Sequence, residues 1–137
     1  MFKLLKIFNS GSNVPENIRM PIMNSNPAAP GTLLYLTSDG YVESGYDPSA
    51  PLFIAAEQVN EDLTEVICYR ITPDMLFEAP MFDGYDSAYT GSPLTPILTS
   101  DGIGGVKLAE SEGEAAATLC YCVTVKSGDN VLLMFNK

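Results

Sequence analysis

Apolar and polar positions alternate in short runs along most of this chain, and turn residues separate the runs. Thr32 to Thr37 is one such run, Ser38-Asp39-Gly40 follows it, and Tyr41 to Glu43 resumes the pattern. An Asp-Gly step between two β-like runs is a strong hairpin signal. Pro51 to Glu57 and Thr64 to Ile71 form a second hairpin around the polar link Asn60-Glu61-Asp62. In its second arm Ile67, Tyr69 and Ile71 fall on one face and Val66, Cys68 and Arg70 on the other. A helix competes only over Ala55 to Val66, where Ala56, Val59, Leu63 and Val66 match a 3.6 period. The β-branched and aromatic flanks place strand-turn-strand ahead of it.

The last third returns to strands at Leu94 to Thr99, Gly105 to Ala109, Ala116 to Lys126 and Asn130 to Phe135. In the longest of these, Leu119, Tyr121, Val123 and Val125 form the expected core face, opposite Thr118, Cys120, Cys122 and Thr124. Pro73 to Gly91 is acidic, aromatic and glycine-containing, and reads as an exposed loop or short helical turn. Ser10 to Gly31 carries four prolines, two glycines and four asparagines, a composition that disfavours helix and central strand alike. It reads as an extended arm or long connection. The pentapeptide Leu36-Thr37-Ser38-Asp39-Gly40 recurs as Leu98-Thr99-Ser100-Asp101-Gly102. Shared strand-to-turn chemistry accounts for the pair more simply than a duplicated hairpin, since Asp and Gly supply the turn geometry in any setting.

Composition narrows the function classes. The 137 residues suit one domain, and 46% hydrophobic residues suffice to fill a core. Zero histidines removes the usual proton shuttle and every Ser/His or Cys/His nucleophile pair. The net charge of −10 opposes both nucleic acid and anionic membrane. Met1 to Phe8 superficially suggests a signal peptide, but Lys6 interrupts its apolar stretch. Cys68, Cys120 and Cys122 are an odd number, and small buried side chains are their simplest role. A three-thiolate metal site lacks the fourth ligand that structural zinc wants. Asp83-Gly84-Tyr85-Asp86 lacks the calcium-loop pattern, and Gly102-Ile103-Gly104-Gly105 matches no nucleotide-binding fingerprint.

Charge is unevenly spread. Residues 1 to 19 carry a net of +2 and residues 20 to 137 a net of −12. A basic, apolar arm on an acidic body is suited to docking on another protein, with Phe2, Lys3, Leu4, Leu5, Lys6, Ile7 and Phe8 as the docking residues. The alternative is that residues 2 to 8 are a first strand tucked into the domain's own sheet, and the sequence weighs the two equally.

Three stretches resemble the phage capsid cement, or head decoration, proteins: Pro51-Leu52-Phe53-Ile54-Ala55-Ala56-Glu57, the run from Val66 to Glu78, and Ser127-Gly128-Asp129-Asn130-Val131-Leu132-Leu133-Met134-Phe135. With the Gly31 to Gly40 turn, the likeness spans residues 31 to 137. It implies a mainly β, small single-domain fold of the β-barrel or β-tulip kind with little helix, comprising an extended N-terminal arm over residues 1–24 and one β-rich domain over 25–137. It further implies a non-enzymatic protein, trimeric, that binds the major capsid protein shell on the virion exterior after synthesis in the bacterial host cytoplasm. No catalytic residue, cofactor, metal, nucleic acid, membrane or small-molecule substrate belongs to that reading. The alternatives are another virion component, such as a head fibre or tail part, and a carbohydrate- or surface-binding β module using the aromatic stretch Phe77 to Tyr89.

Overall fold

The computed structural model describes residues 1–8, 13–22, 29–57, 64–82, 90–98, 104–118, 120–125 and 130–136. The chain is mainly β, a small single domain of two antiparallel sheets with one short helix among the described residues. The sheets do not close into a barrel, which corrects that part of the expectation. The five-stranded sheet contains β2 (Ile18–Pro21), β3 (Leu33–Leu36), β4 (Val42–Ser44), β5 (Leu52–Ala55) and β6 (Glu65–Arg70). The six-stranded sheet contains β1 (Lys3–Ile7), β7 (Met75–Pro80), β8 (Pro93–Leu98), β9 (Gly104–Leu108), β10 (Cys120–Val125) and β11 (Asn130–Phe135). Helix α1 (Glu112–Ala117) lies between β9 and β10.

Both expected hairpins form. The β3–β4 turn is closed by Thr37, whose N–H and hydroxyl both donate to the Tyr41 carbonyl at 2.8 and 2.9 Å. Gly40 sits there at φ 90°, in the left-handed region that a glycine enters without steric cost. β5 pairs antiparallel with β6, so the flanks of the ambiguous 55–66 segment are strands, while residues 58–63 lie outside the described residues.

Two expectations in the second half are corrected. Residues 75–80 are not loop but a central strand, with Met75, Phe77 and Ala79 inward and Leu76, Glu78 and Pro80 half-buried. The flanking Pro73, Asp74 and Pro80 hide that alternation. Ala116 and Ala117 end helix α1 instead of opening the expected strand, described over Cys120–Val125, and Ser111 caps that helix by accepting the Glu114 N–H at 3.0 Å. Ser-x-x-Glu is the capping-box signature. The core face of β10 is also reversed: Cys120 and Cys122 are buried, while Tyr121 and Val123 are half-buried. A register irregularity between Cys122 and Thr124 bends the strand there.

The strand orders disclose a duplication. The five-stranded sheet runs β2-β6-β5-β3-β4, and the other runs β1-β7-β11-β10-β8-β9. Setting β1 aside, β2 to β6 and β7 to β11 follow one topology in one order. The register agrees as well. Leu36 faces Val42 in the first unit and Leu98 faces Gly104 in the second. Ala55 faces Cys68 as Cys120 faces Phe135, and Met20 faces Val66 as Phe77 faces Leu133. In each unit the residue just after the first strand makes a parallel bridge to the far edge strand, Ile22 to Val42 and Met81 to Val106. That bridge curls each sheet toward itself. Gly31 and Gly91, at φ 93° and 83°, precede the hairpins and donate to the Ala55 and Cys122 carbonyls at 2.8 Å, the second bond falling two residues beyond Cys120, the counterpart of Ala55. The strand pairs flanking the two pentapeptides are therefore equivalent, which favours duplication over shared turn chemistry, while residues 99–102 of the second copy lie outside the described residues.

The same face of the unit is buried twice. In the first unit Ile22, Leu34, Val42, Phe53, Ala55, Val66 and Cys68 form their own cluster. In the second unit the corresponding face, with Phe77, Cys120, Leu133 and Phe135, forms the main core. Phe2 and the opposite face of the first unit, through Leu33, Leu52, Ile54, Tyr69 and Ile71, complete that core. The two units thus stack in tandem.

Candidate docking site

Residues 3–7 form a strand of the domain's own sheet, the second of the two readings of this segment. β1 pairs antiparallel with β7, Lys3 opposite Glu78 and Ile7 opposite Met75, and β2 lies within the first unit. The reason is hydrophobic. Phe2 is 2% exposed and meets Phe77 edge-on at 6.4 Å and Phe135 at 6.2 Å, an arrangement that aromatic pairs favour. Gly31 and Gly104 make room for it, since a Cβ on either would stand 2.9 Å from a Phe2 atom. Ile7 is buried as well, and Leu4 packs against the core. Of the seven expected docking residues, only Lys3, Lys6 and Phe8 are exposed, with the Lys6 ammonium 5.0 Å from the Phe8 ring centroid.

The outer edge of β1 is occupied at its two ends. The Phe2 N–H donates to the Gly31 carbonyl at 2.9 Å, and the Ile7 N–H to Asn13 Oδ1 at 3.3 Å. Two lysines in a five-residue edge strand further discourage strand addition.

β2 differs. It occupies the end of its sheet, where Ile18, Arg19 and Pro21 are exposed and Met20 is half-buried. The Ile22 N–H donates to the Thr64 carbonyl at 3.0 Å. Antiparallel alternation then turns the backbone groups of Ile18 and Met20 toward β6, and the Arg19 N–H and C=O and the Pro21 C=O outward. Among the described residues β4 reaches that outer side just past the end of the strand, at the Ile22–Val42 bridge, and no strand pairs there with Ile18 to Pro21. Beside its start lies a pocket of about 240 Å³ lined by Pro15, Glu16, Ile18, Arg70, Thr72 and Met75. Arg70 is exposed above the Phe53 ring, 5.8 Å from its centroid. Sequence reading missed this edge because openness is a property of strand order; Pro21, a residue typical of edge strands, was its one local sign.

A larger pocket, about 420 Å³, lies where β1 and β7 meet the first unit, with Phe2, Lys3, Ile54, Tyr69, Glu78 and Asn130 on its walls. Glu78 is the one carboxylate among its described lining residues, and it accepts from Asn130 Nδ2 at 3.0 Å. The cysteines are divided: Cys68 belongs to the first unit's cluster, Cys120 and Cys122 to the main core, and all three are free thiols. Burial pushes Cys68 up to about 11 and raises Cys122. Burial and then the neighbouring Cys122 raise Cys120. These are poor nucleophiles at neutral pH. The hydrogen bond that Tyr35 donates to Glu43 at 2.7 Å is the main cause of its raised pKa. Phe77 proves to be core, which removes the start of the aromatic stretch considered for glycan binding; Phe82 is exposed, and residues 83–89, including Asp83 to Asp86, lie outside the described residues.

No family model matches the chain, and no curated protein matches it.

Proposed function

We propose that the chain is a non-enzymatic structural protein that decorates and stabilises a phage or prophage capsid, binding the major capsid protein shell from outside as a homotrimer. The observation that carries this reading is where the cement-like stretches fall. The first lies on β5, the second on β6 and the start of β7, and the third on β11. They form two neighbouring pairs, β6 with β5 and β7 with β11. The resemblance thus follows contiguous strands at the heart of both units. The acidic composition favours a protein surface over nucleic acid as partner. Stabilisation follows from mass action: whatever binds only the assembled shell raises the free energy of disassembly.

The test is mass spectrometry of capsids purified from cells producing the encoding phage or prophage. The chain is expected to band with the shells in a fixed ratio to the major capsid protein, and its deletion to lower the temperature at which shells fall apart. Shells that band without it, and are equally stable in its absence, would contradict the proposal.

A further inference from the structure

We propose that the outer edge of β2 is a docking site for an extended segment of another protein, added antiparallel to β2 and carrying a carboxylate side chain opposite Arg19. The inference rests on the duplication and not on the capsid reading. In the second unit the first strand, β7, is covered on its outer edge by β1. In the first unit the equivalent strand, β2, ends its sheet. One unit therefore displays how the other's edge is filled.

The register makes the expectation specific. Met20 corresponds to Phe77, so Arg19 corresponds to Leu76 and Pro21 to Glu78. On β7, Leu76 lies opposite Lys6, and Glu78 lies opposite Lys3, a pairing of unlike charges. A strand seated on β2 in the same register places the counterpart of Lys6 opposite Arg19. A lysine there would face like charge, and a carboxylate would face unlike charge, which is the favourable cross-strand arrangement. Arg19 is exposed on an otherwise acidic body, so the charge that suits the residue opposite it is negative. The counterpart of Phe8, which on β7 bonds to the Asp74 carbonyl, would fall beside the start of β2, next to the pocket formed by Pro15, Ile18 and Arg70. An apolar residue suits that position. Pro21 lacks an N–H and limits the docked segment to a few residues, which guards the edge against indiscriminate pairing.

The test titrates the full chain, in NMR, with a peptide of residues 1–8 carrying Lys6→Glu, and with the unchanged peptide as control. The Glu peptide is expected to shift the Arg19 amide and slow its hydrogen exchange, and to bind roughly fivefold more tightly than the control, the upper range for one cross-strand charge pair. In the Arg19→Glu chain that preference should invert, and Arg19→Ala should abolish it; Arg19 is exposed, so an unchanged melting curve verifies the fold of either variant. Shifts at Leu76 and Glu78 instead, meaning displacement of β1, would overturn the proposal, as would a preference that survives Arg19→Glu. An Arg19 amide already protected in the peptide-free chain, with a mass above one protomer, would assign the edge to a second copy and overturn it too.

Discussion

The two halves of this molecule share a topology and a register, yet they solve the problem of the exposed first strand differently. In the second unit β7 becomes a central strand because β1 crosses over to pair with it. In the first unit β2 stays at the end of its sheet with Arg19 and Pro21 turned out. The cores differ accordingly. The first unit's cluster is made of its own residues, Leu34, Val42, Phe53, Val66 and Cys68 among them. The second unit's core borrows Phe2 from the start of the chain and a whole sheet face from its neighbour. A duplicated unit can thus diverge in function by recruiting one extra strand on one side and leaving the matching edge available on the other.

The largest expected break falls on the borrowed residue. Phe2→Ala should cost about 3–5 kcal/mol, the usual range for a buried phenylalanine, read as a drop in the urea midpoint. A loss below about 1 kcal/mol would show that β1 is not integral to the second unit. Leu34→Ala, confined to the first unit's cluster, should cost about 2–5 kcal/mol. Because the first unit's other face packs into the main core, both variants should still melt in one calorimetric transition; two separated transitions would mean the units are independent.

Gly31 connects the halves and distinguishes steric from conformational cost. Gly31→Ala meets both a φ of +93° and the Phe2 carbonyl, whereas Gly40→Ala meets only a φ of +90° with nothing within 4 Å. The first should cost about 2–4 kcal/mol and the second about 1–2 kcal/mol. Equal losses would remove the close contact between Gly31 and Phe2 from the explanation.

Alkaline pH is a gentler probe. Burial raises the Cys68 thiol from 9.0 to about 11, so above pH 9 the unfolded chain releases a proton that the folded chain retains. Stability from this group is full below pH 9 and is lost as pH rises toward 11, by about 2–3 kcal/mol. Cys68→Ala should flatten that part of the decline in urea melts taken from pH 8 to 11. Smallest of all, Arg19→Ala should change stability by less than about 0.5 kcal/mol, as expected at an exposed position, while altering peptide binding.

What could be read from the sequence was local. The Asp39-Gly40 turn and the alternation in Pro51 to Ile71 placed β3 to β6 because each signal lies within a few residues of what it specifies. β7 was hidden because Pro73, Asp74, Glu78 and Pro80 outweigh the alternation of Met75, Phe77 and Ala79. The face of β10 was misjudged because cysteines 120 and 122 are smaller than the tyrosine and valine beside them, although they are the buried side chains. The duplication was visible only as five matching residues, since the strands have diverged to pairs such as Ala55 and Cys120 that share place and not identity. The open edge was beyond sequence reading altogether, because it depends on which strands end as neighbours.

Amide hydrogen exchange at Arg19 and Leu76 compares the two edges most directly, since these residues hold equivalent positions in the two units. With β1 seated on β7 and β2 left open, the Leu76 amide should exchange at least roughly a hundredfold more slowly, as a paired backbone group does relative to one facing water. Equal protection at both positions would contradict the asymmetry on which the docking edge depends.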